Sequence, residues 1–153
     1  MENIAKKCIL SFRSQMQQKS NIQLVSIKVY IPKYDAEMIA KYIEENYPQY
    51  KSHPKGVHHL AIGYREKIAP KKSLEPGKMV RDIAEEIVEI FLSKTQVDKD
   101  IKVERMKISL PLECDVNEVI TCIHEEYSKE YEIHVKESNE LSIGCVSKNP
   151  IAN

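Results

Sequence analysis

The chain has 153 residues, 42% of them hydrophobic, and its 23 basic and 23 acidic residues cancel. That length sustains one buried core without metals or disulfides. The even charge excludes a protein that coats nucleic acid through a uniform basic surface. Cysteines stand at Cys8, Cys114, Cys122 and Cys145. None forms the closely spaced pair that structural zinc sites use, so the sequence predicts reduced thiols, no metal and no other cofactor. Residues 1–23 are polar, with Lys6, Lys7, Arg13 and Lys19 and no long apolar run. They are expected to be neither a signal peptide nor a membrane span, which makes the expected address cytoplasmic.

In chain order, residues 5–18 read as a short helix that offers Ile9, Leu10 and Phe12 for docking. Residues 24–32 are rich in β-branched side chains and predict a strand stopped by Pro32. Asp35 is placed to cap a helix on which Met38, Ile39, Tyr42, Ile43 and Tyr47 recur at helical spacing. A turn-rich segment, 52–56, leads to a second strand over 57–65. Residues 66–78 hold two prolines and several lysines and predict an exposed loop. The clearest helix spans 79–93, with Val80, Ile83, Ala84, Ile87, Val88 and Phe91 on one face. A strand follows over 101–112. Asp115 and Glu118 then open a helix as a capping box, and short strands near 132–136 and 140–147 complete the chain.

Self-similarity is the strongest signal. IKVYIP and the helix after it, from Ile27, match MKISLP and its helix, from Met106, with one residue inserted before the aspartate. Asp35 then aligns with Asp115, Ile43 with Ile123 and Tyr47 with Tyr127. Further on, HLAIGY from His59 matches ELSIGC from Glu140. These matches predict an α+β fold of duplicated βαβ units, forming two pseudo-symmetric lobes with a concave sheet and outer helices. The boundaries expected are an N-terminal extension over 1–22, one duplicated domain over 23–147 with repeats near 24–65 and 103–147, and a tail over 148–153.

Side chains two apart share a strand face. Leu60, Ile62 and Tyr64 therefore oppose His59, Ala61 and Gly63, and Leu141 and Ile143 oppose Glu140, Ser142 and Gly144. A duplicated βαβ unit with His-x-Thr or His-x-Ser on its second strand resembles the 2H phosphoesterases, the superfamily of 2′,5′ RNA ligase-like proteins and cyclic phosphodiesterases. The resemblance implies two histidines acting as acid and base on one phosphodiester, with hydroxyls binding its oxygens. In this chain His59 and Ser142 match, while Ala61 and Glu140 depart from the pattern. The reading that follows is a degenerate member that binds RNA ends or nucleotides and is catalytically weak or inactive. His59, Ser142, Tyr64, Lys71 and Lys72 would hold the ligand, and His59 with Glu140 would form the acid–base pair if any activity remains.

Three other readings use the same features. One is an active RNA 2′,3′-cyclic phosphodiesterase. Another is a βαβαβ nucleic-acid-binding protein similar to the Alba family. The last is an assembly subunit that meets a protein partner through its N-terminal helix or a sheet edge. No phosphate-binding loop, nucleophile elbow or dinucleotide fingerprint is present.

Overall fold

The computed structural model describes residues 2–13, 22–66, 79–94, 100–127, 131–137 and 139–145. In chain order they form α1 (Glu2–Arg13), β1 (Gln23–Tyr30), α2 (Ala36–Asn46), β2 (Tyr50–Pro54), β3 (His59–Tyr64), α3 (Val80–Lys94), β4 (Lys102–Ser109), α4 (Val116–Glu126), β5 (Tyr131–Glu137) and β6 (Glu140–Cys145). The strands make one sheet in the order β2-β3-β1-β4-β6-β5. Every neighbouring pair is antiparallel. The fold is therefore mixed α+β, with β2 and β5 at the two edges of the sheet.

Period-two alternation decides the layering. Ile27, Val29, Leu60, Ile62, Met106, Ile108, Leu141 and Ile143 all point to one face and are buried. The helices cover that face and share a single core with it. The opposite face carries Ser26, Lys28, Tyr30, His59, Ala61, Arg105, Lys107 and Ser142. Among the described residues no helix lies on that side.

Helix starts follow from capping chemistry. Asp35 accepts hydrogen bonds from the Glu37 and Met38 amides, at 2.9 and 3.3 Å. Asp115 accepts one from the Asn117 amide at 2.8 Å. Each cap satisfies amide donors that the first helical turn leaves without partners. The strand ends match as well. Ile31 N donates to His58 O at 2.8 Å, and Leu110 N donates to Asn139 O at 2.8 Å.

Two elements differ from the sequence expectation. The segment expected as a turn, 52–56, overlaps the second half of β2, an edge strand ending in proline. Proline is tolerated there because an edge residue need not donate to a second neighbour. Ser52, at the centre of β2, is buried and donates its hydroxyl to Ala40 O at 2.8 Å, which ties the edge to α2.

The larger difference is α1, expected as part of an extension outside the domain. Its Ile4, Ala5, Cys8, Ile9 and Phe12 are all buried in the common core. α3 buries Ile83, Ala84, Ile87, Val88 and Phe91 at the same spacing. Phe12 meets Tyr50 edge-on at 5.9 Å and 82°, and Phe91 meets Tyr131 edge-on at 5.8 Å and 85°. The apolar stripe of α1 is thus consumed inside the fold, and Leu10 points outward, 60% exposed. Lys7 Nζ adds a bond of 2.9 Å to Asp100 Oδ2, and Lys33 Nζ approaches Asp100 Oδ1 at 3.5 Å. The Lys7 hydrogen bond holds the Asp100 carboxyl below its ordinary range. The expected loop over 66–78 and the expected tail over 148–153 fall mostly or wholly outside the described residues.

Two predictions follow from the packing of α1. Phe12→Ala should lower stability by about 3–5 kcal/mol, as expected for removing a buried ring, and by as much as Phe91→Ala. Urea denaturation checks this, and a dispensable α1 would leave the Phe12→Ala midpoint unmoved. Burial also pushes the Cys8 thiol up to about 12. The thiolate is the reactive form, so Cys8 in the folded chain should resist iodoacetamide at pH 8 and react once urea unfolds it. Peptide mapping by mass spectrometry reads both states.

Candidate functional site: the helix-free face of the sheet

The free face is built around the seam between β1 and β4. Lys28 lies opposite Arg105, Ile27 opposite Met106, and Ser26 opposite Lys107. Ile27 and Met106 point into the core, so Lys28, Arg105 and Lys107 are left on the other side. Three basic side chains from two adjacent strands therefore crowd the centre of the face. Diagonal neighbours of this kind stand about 7–8 Å apart.

Arg105 is held in place. Its Nε donates to Ser142 Oγ at 2.9 Å, and its Nη1 donates to Glu132 Oε1 at 2.7 Å. Its Nη2 donates to Glu132 O at 3.1 Å. To reach Glu132 on β5, the guanidinium crosses β6 at Gly144, which pairs with both Arg105 and Glu132. A Cβ on Gly144 would stand 2.8 Å from Arg105 Nη1 and 3.0 Å from Glu104 O. The glycine of the second Leu-x-Ile-Gly strand is thus the floor under this arginine.

Lys107 and Lys28 differ. Lys107 Nζ lies 3.4 Å from Glu140 Oε1. Glu140 is 5% exposed, and its Oε1 has no hydrogen bond, so the lysine serves it as a charge rather than as an aligned donor. Lys28 makes no ion pair or hydrogen bond among the described residues.

His59 sits diagonally from Lys28, in register with Tyr30. Its ring stacks on Tyr30 with centroids 5.0 Å apart and planes at 28°. Nδ1 donates to Glu104 Oε1 at 2.8 Å. Glu104 reaches this face because the β1–β4 register shifts between Lys28 and Val29. The adjacent His58 is turned away and bonds the Tyr34 carbonyl at 2.8 Å.

The structure does not bring all the sequence-derived candidates together. His59 lies level with Tyr30, at one end of β1, whereas Glu140 lies level with Ser109 and through it with Gln23, at the other end. β1 is 8 residues long, and two further strands separate β3 from β6. At about 3.3 Å per residue and about 4.8 Å per strand, His59 and Glu140 are more than about 20 Å apart. They share a face but cannot flank one phosphorus, so they do not form the expected acid–base pair. Ser142 is nearer the centre, and its hydroxyl positions Arg105. Tyr64 faces the helices, where its ring packs against Phe12 at 4.8 Å and Tyr50 at 5.8 Å. That ring is a core contact and not a stacking platform. Lys71 and Lys72 lie outside the described residues.

Glu104, Arg105 and Lys28 were missed as site residues by sequence reasoning. Glu104 and His59 are 45 positions apart, and strand periodicity alone cannot show that a bulge turns Glu104 to the polar side. Among the described residues, no three His, Cys, Asp or Glu side chains converge as metal ligands. None of the described helices is long and apolar enough to cross a membrane.

Gly144→Ala should displace Arg105 and cost about 1–3 kcal/mol, the usual penalty for forcing a methyl into filled space. Chemical denaturation measures the cost. Arg105→Ala combined with Gly144→Ala should recover part of it, and equal penalties with and without the arginine would show that the clash is with the backbone alone.

Compared with known proteins, the chain matches no family model, no curated protein and no solved structure.

Proposed function

We propose that the chain is a duplicated binding module that takes RNA ends or nucleotides on the helix-free face of its sheet, with the phosphate held at the β1–β4 seam. The observation that carries this reading is the cluster of Lys28, Arg105 and Lys107 at the centre of that face. Net charge is zero, but charge position matters more than the sum for a single local anion. Lys28 brings an ammonium that no described residue engages, suited to phosphate oxygens, and Arg105, whose donors are taken by Ser142 and Glu132, adds its positive charge beside it. Tyr30 and His59 flank the cluster with aromatic surface on which a base can stack.

Duplication supports the reading because it explains why the cluster is central. The unit we infer is αβαββ, longer than the βαβ unit expected from sequence, with α1 and α3 as its first elements. The inference rests on matched particulars. Each pairing of β1 with β3 has a counterpart in β4 with β6: Lys28 opposite Ala61 corresponds to Lys107 opposite Ser142, and Tyr30 opposite His59 to Ser109 opposite Glu140. Tyr50 opposite Tyr64 corresponds to Tyr131 opposite Cys145. The Ile27–Met106 pair, whose members are each other's counterparts, falls on the pseudo-twofold axis. Lys28 and Lys107 are then symmetry mates on either side of that axis.

The two-carrier chemistry of the 2H phosphoesterases is no part of this proposal, given the separation of His59 from Glu140. A βαβαβ arrangement of the Alba kind also fits poorly, because each half here ends in an antiparallel hairpin, β2–β3 or β5–β6.

The test is fluorescence anisotropy with a labelled single-stranded RNA of about ten nucleotides, bearing or lacking a terminal phosphate. Binding should be tighter with the phosphate. It should weaken tenfold or more in Lys28→Glu and show a shallow salt slope of about 0.7 per phosphate contact. No binding at high micromolar protein, or equal binding by Lys28→Glu, would overturn the proposal.

A further inference from the structure

His59 is fixed on three sides. Tyr30 covers one ring face at 5.0 Å. Glu104 Oε1 takes the Nδ1 proton at 2.8 Å. The backbone of Gly56 lies against the ring edge, where an added Cβ would stand 3.2 Å from Cδ2. The side chains of His59 and Glu104 are 36% and 31% exposed. Nε2 has no hydrogen-bond partner among the described residues. A carboxylate accepts and does not donate, so the Glu104 bond places the proton on Nδ1 and leaves Nε2 as the nitrogen that faces a ligand.

This is the orientation a proton-transfer imidazole needs. One nitrogen is anchored by a carboxylate, and the other is open toward the reacting group. Lys28 stands diagonally across the strand pair, about 7–8 Å away between backbones. An anion bound at Lys28 therefore lies within side-chain reach of Nε2. Among the described residues no hydroxyl or thiol is bonded to His59. The chain offers His59 no nucleophile of its own there, which leaves water or a hydroxyl carried by the substrate, and on RNA the 2′-hydroxyl already stands beside the phosphorus.

From this geometry we propose that His59 is a single acid–base centre, positioned by Glu104, acting on a phosphodiester that carries its own neighbouring hydroxyl, as an RNA strand does. The proposal rests on the phosphate-binding reading above. His59 Nε2 takes the proton from the 2′-hydroxyl, and the 2′-oxygen forms a bond to phosphorus. The bond from phosphorus to the 5′-oxygen breaks, and the departing oxygen takes a proton from water or from the imidazolium. The products are a 2′,3′-cyclic phosphate end and a 5′-hydroxyl end, with no change of oxidation state. Lys28 holds the phosphoryl oxygens, and Glu104 acts only through the ring it positions.

The experiment incubates the full chain with end-labelled RNA and with DNA of the same sequence, beside His59→Ala and Glu104→Gln purified identically. The expected result is slow cleavage of RNA only, lost by a hundredfold or more in His59→Ala, in line with the usual contribution of a positioned acid or base. Added free imidazole should restore part of the His59→Ala rate. Glu104→Gln should lower kcat about tenfold with KM unchanged, and Glu104→Asp should recover most of it. A merely structural role for Glu104 would not produce that split.

RNA binding by the wild type with no cleavage, or cleavage that persists in His59→Ala, would overturn the acid–base proposal and leave the binding module standing. Absence of any RNA binding would remove the phosphate-site reading and this one together. Circular dichroism of each variant confirms that lost turnover is not lost folding.

Discussion

Antiparallel pairing of β1 with β4 is the contact on which the rest of the molecule depends. It joins the two halves into one sheet, and its register sets what each face carries. With Ile27 opposite Met106, the apolar residues of both strands enter one core and the basic residues meet on the other side. A slip of one residue would turn Lys28 or Arg105 beneath the helices, at the cost of burying a charge. Because the cores of α1 and α2 and of α3 and α4 lie on the same side of this seam, helix packing and site assembly are consequences of one register.

The free face uses its charges locally. Arg105 is tied to Glu132 and Ser142, Lys107 to Glu140, and His59 to Glu104. Each acid restrains a base that would otherwise swing in solvent, and each pair runs across strands rather than along one. Exposed pairs of this kind add little to stability. What they supply is position: a guanidinium lying flat across Gly144 and an imidazole with one nitrogen anchored. Lys28 stands outside this network, which makes it the cation whose charge a ligand meets with least competition.

Much of this architecture is legible in the sequence because it rests on short-range periodicity. The strands at 24–32 and 101–112, the capping aspartates Asp35 and Asp115, and the face shared by His59, Ala61 and Gly63 all follow from local pattern. α1 is hard to place from sequence because its stripe, Ile4, Ala5, Cys8, Ile9 and Phe12, is short and narrow, and the lysines on its other face give it the look of a surface helix. Its true partners, Tyr50 and Tyr64, are far away in sequence. β2 is hidden in the sequence because Ser52 and Pro54 are turn formers, and what holds the segment extended is its pairing with β3 and the bond from Ser52 to α2. The site was harder still. Its defining contact joins His59 to Glu104, and that pairing requires the strand order, the register and a bulge together.

Duplication and active-site construction pull in different directions in such a sheet. In the duplication proposed above, counterparts on the central strands meet at the axis, as Lys28 and Lys107 do. When they lie on outer strands they diverge, as His59 and Glu140 do. A motif repeated on β3 and β6 therefore cannot by itself build a two-residue catalytic pair around one small group. Any chemistry near His59 has to be completed by residues of its own neighbourhood, and β4 supplies one of them in Glu104. Of the departures from the family pattern, Glu140 lies too far from His59 to meet the same small group, while Ala61, opposite Lys28, places a methyl rather than a hydroxyl beside the proposed phosphate site.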